Sequence, residues 1–105
     1  MGGIKEAREV AEQDLEQTSI VLKALSHPLR LKILCMLGDG RGEVAVLDIV
    51  AATGASQSNI SQHLSIMKGK GLIKGRKEAN RVLYSIVDDR MVALLSMMRE
   101  VICSD

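Results

Sequence analysis

Aromatic side chains are almost missing from this sequence. Phenylalanine and tryptophan are absent, and Tyr84 is the only aromatic residue among 105. The core must therefore be built from aliphatic side chains and methionine, and methionine fills irregular gaps without fixing a rigid shape. No apolar run is long enough to cross a bilayer, and no secretory signal pattern is present. We expect one small domain, residues 1–105, located in the cytoplasm.

Histidine is also scarce, with only His27 and His63, which fall on different predicted elements. The last predicted helix offers three possible oxygen ligands, Asp88, Asp89 and Glu100, whose spacing alone does not make a metal site. We therefore predict no metal ion and no cofactor.

The sequence contains two cysteines, Cys35 and Cys103. In a reducing cytoplasm a pair of thiols is more often redox-active than a permanent disulfide. Two other interpretations remain open, since Cys35 can be a small buried apolar residue and Cys103 an incidental thiol near the C-terminus. A nucleophile–base pair of Cys35 with His63 lacks any oxyanion or cofactor motif beside it, so we predict no enzyme.

Charge is unevenly distributed along the chain. The net charge is only +1, yet residues 56–81 carry +5 and the segments on either side carry −2 each. DNA-binding proteins need a local positive field rather than a basic whole. Residues 56–81 are therefore the candidate nucleic-acid-binding region, and a solvated charged surface is the alternative interpretation.

The most informative stretch lies at residues 56–64, Ser-Gln-Ser-Asn-Ile-Ser-Gln-His-Leu. Ser56 is a suitable helix N-cap, and Ile60, Leu64 and Met67 recur at the spacing of one buried helix face. A helix over residues 43–53 and a Gly54-Ala55 turn precede this stretch, which gives a helix-turn-helix over residues 43–69. A basic hairpin follows at 72–87, with strands at 72–77 and 81–87. This order predicts a winged helix-turn-helix.

Three further helices are predicted around this unit. Pro28 suits the first turn of a largely buried helix over residues 28–37, with Ser26 or His27 as its cap. Residues 4–25 carry apolar side chains every three or four positions, a stripe long enough to support a partner helix as well. A last helix spans 88–102, with Met91, Leu95, Met98 and Ile102 along one side. The fold class is mainly α (α+β).

Three stretches together resemble the ArsR/SmtB family of winged-helix repressors, in the family's order and over roughly residues 15–102. They are residues 23–34 (Lys-Ala-Leu-Ser-His-Pro-Leu-Arg-Leu-Lys-Ile-Leu), residues 56–64, and Gly71-Leu72-Ile73 with residues 81–86 (Arg-Val-Leu-Tyr-Ser-Ile). The resemblance implies a homodimer in which helices 4–25 and 88–102 form the interface. It also implies that a chemical signal releases the dimer from double-stranded operator DNA.

The same resemblance assigns roles in DNA binding. Asn and Gln side chains can pair bidentately with adenine, and Ser is less selective. Arg81 is a candidate for the minor groove beside the wing. His63 has an alternative role, in which it only holds the helix or touches phosphate. The residues expected at or near the major groove are Ser56, Gln57, Ser58, Asn59, Ser61, Gln62 and His63, and those expected on phosphate are Lys68, Lys70, Arg76, Lys77 and Arg81.

The two cysteines resemble those of the sulfide- and persulfide-responsive branch of the family (the SqrR, BigR and YgaV types). The Cys-x-Cys pair of arsenic and cadmium sensors would fall near Ala45 and Leu47, which cannot bind metal. The run Ile33-Leu34-Cys35 resembles that branch, and the resemblance implies that a reactive sulfur species or an oxidant would join Cys35 to Cys103. The last helix would then shift and change the angle between the two recognition helices. Alternatives are a repressor triggered by a metal at the dimer edge or an organic ligand, and a winged helix that binds protein rather than DNA.

Overall fold

The computed structural model describes residues 11–38 and 42–102, and these residues form five α-helices and one antiparallel sheet. The predicted mainly α winged helix-turn-helix is confirmed. Residues 4–10 of the predicted first helix and Cys103 lie outside the described residues. In chain order the elements are α1 (Glu12–Leu25), α2 (Pro28–Leu37), β1 (Val44–Ala45), α3 (Val46–Thr53), α4 (Gln57–Gly69), β2 (Ile73–Glu78), β3 (Arg81–Ile86) and α5 (Asp89–Ile102).

The core is aliphatic and lies where α2, α3 and α4 meet the first residues of β2. Ile33 and Leu34 of α2 are completely buried, as is Ile49 of α3. The predicted inner face of α4 is confirmed, because Ile60, Leu64 and Met67 are at most 1% exposed. These side chains fix which side of α4 faces solvent.

The start of α2 differs from the prediction in its cap. Pro28 occupies the first helical turn as expected, but neither candidate side chain caps the helix. His27 holds the N-cap position in an extended conformation without a side-chain cap bond. Ser26 instead donates its hydroxyl to the carbonyl of Lys23 at 3.1 Å, at the end of α1. The tight α1–α2 junction thus turns Ser26 toward the preceding helix.

The sheet has three strands, because one short strand outside the wing joins the predicted two-stranded hairpin. Val44 and Ala45, predicted as helical, form the short strand β1, which pairs with Tyr84 and Leu83 of β3. The sheet order is therefore β1-β3-β2. Val44 is β-branched and 3% exposed, and such a residue packs well in a half-buried strand. A strand of two residues is too short to show any periodicity in sequence, which is why it was missed.

The hairpin itself agrees with the prediction to within one residue at each strand end. Glu78 pairs with Arg81, so Ala79 and Asn80 form the turn. Gly75 lies opposite Tyr84, and a Cβ atom at Gly75 would sit 2.8 Å from the Tyr84 ring. The single aromatic ring therefore covers a position that only glycine fits without a shift of the wing.

Two glycines allow a matched test of the turn. Gly54 has a φ of 72°, in the left-handed region, whereas Gly69 at the end of α4 is not among the residues with positive φ. An added Cβ meets nothing within 4 Å at either position. Gly54→Ala should lower the free energy of unfolding by about 1 kcal/mol, and Gly69→Ala should leave it unchanged or raise it by up to about 1 kcal/mol. Urea denaturation measures the free energy of unfolding of both variants. Equal changes would contradict the conclusion that the left-handed conformation at residue 54 favours glycine.

Candidate nucleic-acid interface

The turn between α3 and α4 sets the direction in which α4 leaves the domain. The N–H of Gly54 donates to the carbonyl of Val50 at 2.9 Å, and the left-handed glycine ends α3. Two residues later, the Ser56 hydroxyl accepts the N–H of Asn59 at 3.1 Å. The predicted N-cap is confirmed, and it satisfies one of the free N–H groups at the start of α4.

The outer face of α4 carries short, uncharged polar side chains. The first turn of α4 has no acidic residue, so the positive end of the helix dipole stays available to an anion. Amides and hydroxyls are the groups that can contact base edges in a major groove. Six of the residues predicted at or near the groove are exposed: Ser56, Gln57, Ser58, Asn59, Ser61 and Gln62.

His63 is in the interior, not on this exposed face. Its residue is only 9% exposed, and its Nδ1 accepts a hydrogen bond from Nε of Arg30 at 3.1 Å. Burial, with smaller contributions from His27 and Arg30, lowers the pKa of His63 below its usual value. The structure thus corrects the groove assignment of His63 and matches the alternative in which it holds the helix.

Among the predicted phosphate contacts, Arg76 already has a partner. Its Nε lies 2.6 Å from Oε2 of Glu43, and its Nη2 lies 2.8 Å from Oε1 of the same carboxylate. This hydrogen bond lowers the pKa of Glu43. A second carboxylate, that of Glu78, is 3.5 Å from Nη2. Two carboxylates therefore offset the charge of Arg76.

The other four basic residues are exposed but fall into two groups. Lys77 and Arg81 lie on the wing, in β2 and β3. Lys68 and Lys70 lie at the far end of α4, roughly 18 Å along the helix axis from Ser56. Lys70 lines a separate cleft of about 220 Å³ together with Lys23 and Arg30. Of these four residues, Arg81 is the one that lines the groove beside the start of α4.

A groove of about 450 Å³ separates α4 from the wing. Gln57 and Ser61 line it from α4, and Asn80 and Arg81 line it from the hairpin. Leu47, which is 66% exposed, contributes an apolar edge. Sequence reasoning assigned Asn80 only to the turn. Its place beside Arg81 at the tip of a basic hairpin was the available indication that it lines the interface.

The candidate sensor residue Cys35 lies on α2, half-buried and facing α5. It lines a narrow cleft of about 10 Å³ with Ser96 and Arg99 of α5. Cys103 lies outside the described residues. The structure therefore places Cys35 against the last helix and leaves the pairing with Cys103 as a prediction.

Residues 11–38 and 42–102 contain no group of three His, Cys, Asp or Glu side chains that could hold a metal ion. Within the same part of the chain, no helix is long and apolar enough to cross a membrane.

A helix-turn-helix with an uncharged polar outer face, followed by a basic wing, defines a winged-helix DNA-binding domain. Comparison with known proteins agrees. Residues 27–74 match the family model described as "Bacterial regulatory protein, arsR family". The chain is 43% identical over 88 residues to the HTH-type transcriptional regulator YgaV of Escherichia coli K12, covering 84% of this chain and 88% of that protein. The chain therefore belongs to the ArsR family of DNA-binding transcriptional regulators, which are not enzymes.

Solved structures support the same assignment. HlyU from Vibrio cholerae N16961 superposes with a TM-score of 0.81 at 33% identity, covering 90% of this chain and all of that chain. A winged helix-turn-helix domain of Mb0332 from Mycobacterium bovis, described as homodimeric, has a TM-score of 0.78 at 33% identity and covers 89% of this chain and 84% of its own.

Salt dependence should distinguish the two wing arginines. Each phosphate contact made by a cation steepens the fall of log affinity with log salt concentration, and loss of one contact reduces the slope by about 1. Arg81→Gln should therefore reduce the slope by about 1 per subunit, whereas Arg76→Gln should change it less because Glu43 already offsets its charge. Fluorescence anisotropy on duplex DNA over a salt series measures both slopes. Equal reductions in the two slopes would mean that Arg76 leaves Glu43 and contacts a phosphate when DNA binds.

Proposed function

We propose that the chain acts in the cytoplasm as a homodimeric repressor that binds operator DNA and is released when Cys35 and Cys103 become linked. The observation that carries the DNA-binding part is the exposed polar face of α4 beside the basic wing. The observation that supports the thiol part is the position of Cys35 against α5.

In the proposed complex, α4 enters the major groove with its N-terminal half. Gln57, Asn59 and Gln62 present amide groups that can donate and accept at base edges. The wing then lies over the adjacent minor groove, where Arg81 provides the positive charge. The sugar–phosphate strand between the two grooves would run through the 450 Å³ groove between α4 and the wing. There Asn80 and Arg81 can donate to phosphate, and Leu47 can pack against a sugar. The phosphates must pass on the hairpin side, because the carboxylate of Asp48 lines the groove from α3.

The proposed dimer interface consists of apolar side chains on α1 and α5. A small domain rarely leaves a stripe of large apolar side chains in water unless the stripe binds a partner. On α5 these residues recur every three or four positions, on a face that lies beside the buried Leu95 and includes Met98 and Ile102 next to it. A second copy of this chain would cover both helices and hold the two α4 helices about one DNA turn apart, about 34–36 Å. The exposed residues are Leu15, Leu22, Leu94, Met97, Met98, Val101 and Ile102.

A charge placed in this stripe should dissociate the dimer. Met97 is 57% exposed, so the carboxylate of a Met97→Glu variant would remain in water in the monomer. In the dimer interface the same carboxylate would be buried without a partner. We expect monomers by analytical ultracentrifugation, and DNA affinity reduced by at least about tenfold because one half-site is lost. Glu100, which is also exposed on α5, provides the control: Glu100→Gln should remain dimeric. A dimeric Met97→Glu variant would place the interface elsewhere.

The thiol chemistry uses Cys35 as the first nucleophile. Cys35 lines a cleft together with Arg99 of α5. Cys103 follows Arg99 by four positions in the sequence. The Cys35 thiolate attacks the outer sulfur of an organic persulfide. The sulfur–sulfur bond of that persulfide breaks, the outer sulfur stays on Cys35 as a new persulfide, and the organic part leaves as a thiol. Attack by Cys103 on the new persulfide then forms the disulfide and releases hydrogen sulfide, so that two thiols lose two electrons in total.

Linking Cys35 of α2 to Cys103, the residue that follows Ile102 in the sequence, would change how α5 packs and therefore how the partner subunit is held. Since both recognition helices must match the groove spacing together, a small change in their relative angle weakens binding at two places. This is how a bond remote from DNA would release the repressor.

A binding titration on duplex DNA from upstream of the protein's own gene tests the proposal. Reduced protein should bind tightly, treatment with an organic persulfide should weaken binding by at least about tenfold, and dithiothreitol should restore it. The sequence has only two cysteines, so Cys35→Ser and Cys103→Ser cover every thiol. Each variant should bind DNA as tightly as the reduced wild-type protein, and treatment with persulfide should not change that affinity. Equal binding by treated and reduced wild type would exclude thiol sensing and leave DNA binding with another trigger.

A further inference from the structure

A polar cluster of the buried His63 and the half-buried His27 and Arg30 connects the inner face of α4 to the α1–α2 junction. The rings of His27 and His63 lie 4.5 Å apart between centroids, tilted by 57°. Arg30 on α2 donates from Nε to Nδ1 of His63 at 3.1 Å and from Nη1 to the carbonyl of Ala24 at 3.3 Å. One guanidinium therefore holds the recognition helix to the last turn of α1.

The hydrogen bond from Arg30 fixes the protonation state of His63. Guanidinium is only a donor, so Nδ1 of His63 must be an acceptor and its ring must be neutral. A proton on Nδ1 would remove that acceptor and turn two donors toward each other. It would also place an imidazolium beside a guanidinium at a residue that is only 9% exposed, where the two like charges repel each other.

Among residues 11–38 and 42–102, no carboxylate forms an ion pair with Arg30 or with either histidine, so none there offsets the added charge. His27 faces His63 from the N-cap of α2, and Arg30 faces it from α2 itself. Lys23 of α1 and Lys70 after α4 line the cleft that also contains Arg30, and no acidic residue lines that cleft. Nδ1 of His27 is buried without a hydrogen-bond partner among the described residues. The bond from Arg30 to His63 is thus the only hydrogen bond described for either ring.

We propose that Arg30 and His63 form a pH-sensitive latch that positions the recognition helix, and that protonation of His63 opens it and weakens DNA binding. His63 acts here as a positioning residue, because it is buried behind the face that would meet DNA. The inference rests on the proposed function for its effect on DNA, and on the cluster geometry alone for its effect on the fold.

The sign of the effect follows from burial and neighbouring charge, which lower the pKa of His63 from its usual 6.5. The latched state binds the proton less well than a state in which the ring is free. Latching is therefore fully favoured above pH 6.5 and is lost progressively as the pH falls below it. Each pH unit below 6.5 weakens the latched state by at most about tenfold per subunit.

The sequence limits which side chains can change charge between pH 5 and 8. His27 and His63 are its only histidines, and histidine is the only side chain whose ordinary pKa lies between pH 5 and 8. Added positive charge alone would strengthen binding to a polyanion such as DNA. A loss of affinity on acidification is therefore opposite in sign to the general electrostatic effect.

The test measures affinity for duplex DNA between pH 7.5 and pH 5.5 at constant ionic strength, with cysteines kept reduced. Wild-type protein should bind more weakly at pH 5.5 than at pH 7.5, by at most about tenfold per subunit. In His63→Asn, the amide oxygen can accept from Arg30 in place of Nδ1 but cannot be protonated. This variant should keep wild-type affinity at pH 7.5 and lose most of the pH dependence. If it folds poorly, His63→Gln provides a longer amide acceptor.

Constant or rising wild-type affinity on acidification would overturn the latch, as would an equal fall in the asparagine variant. A second measurement separates this failure from a failure of the proposed function. Thermal unfolding of wild type without DNA, together with the NMR titration of the His63 ring, should show stability falling below pH 6.5 and little change in His63→Asn. Absence of DNA binding at pH 7.5 with this stability profile intact would contradict the repressor and leave the latch standing.

Discussion

Burial of one face of α4 is the constraint on which the rest of the structure depends. Ile60, Leu64 and Met67 can be buried together only if the helix takes one rotation about its axis. That rotation turns the amide and hydroxyl side chains outward and His63 inward. The outer surface of the helix can therefore vary in its DNA contacts without affecting the core, whereas a change on the inner face alters how the helix is held.

The sequence was most informative where a pattern repeats or a turn needs a particular residue. Helical spacing located α2 and α4, and the Gly54 turn with the Ser56 cap located the start of α4. Prediction failed where the controlling interaction is between residues distant in sequence. Arg30 and His63 are 33 positions apart, as are Glu43 and Arg76, and no local periodicity indicates either pair. The placement of His63 on the DNA-facing side was wrong for this reason. A histidine within a polar stretch is expected to be exposed to solvent, and only its contact with Arg30 shows that it faces inward.

β1 shows a different limit. Two residues cannot establish a period of two, and Val44 and Ala45 are equally compatible with the first turn of a helix. Only the opposite strand, β3, decides between the two, because it provides hydrogen-bond partners for an extended segment. The consequence reaches the interface: β1 ends directly at the first residue of α3, so the sheet and the helix-turn-helix are held together at the floor of the groove beside α4.

Both proposed regulatory contacts involve helix α2. Arg30 contacts the recognition helix, and Cys35 faces α5 five residues later, roughly 7.5 Å along the same axis. Ile33 and Leu34 lie between them, completely buried. Because a close-packed core transmits small displacements instead of absorbing them, a shift of α2 caused by a new bond at Cys35 would also act on the contact between Arg30 and His63. Acidification and persulfide would then act together. If the contact between Arg30 and His63 is already broken, less rearrangement is needed for the protein to leave DNA. Persulfide should therefore release the protein from DNA more readily at pH 5.5 than at pH 7.5. Such coupling must be reciprocal, so the link between Cys35 and Cys103 would in turn raise the pKa of His63 toward its usual value.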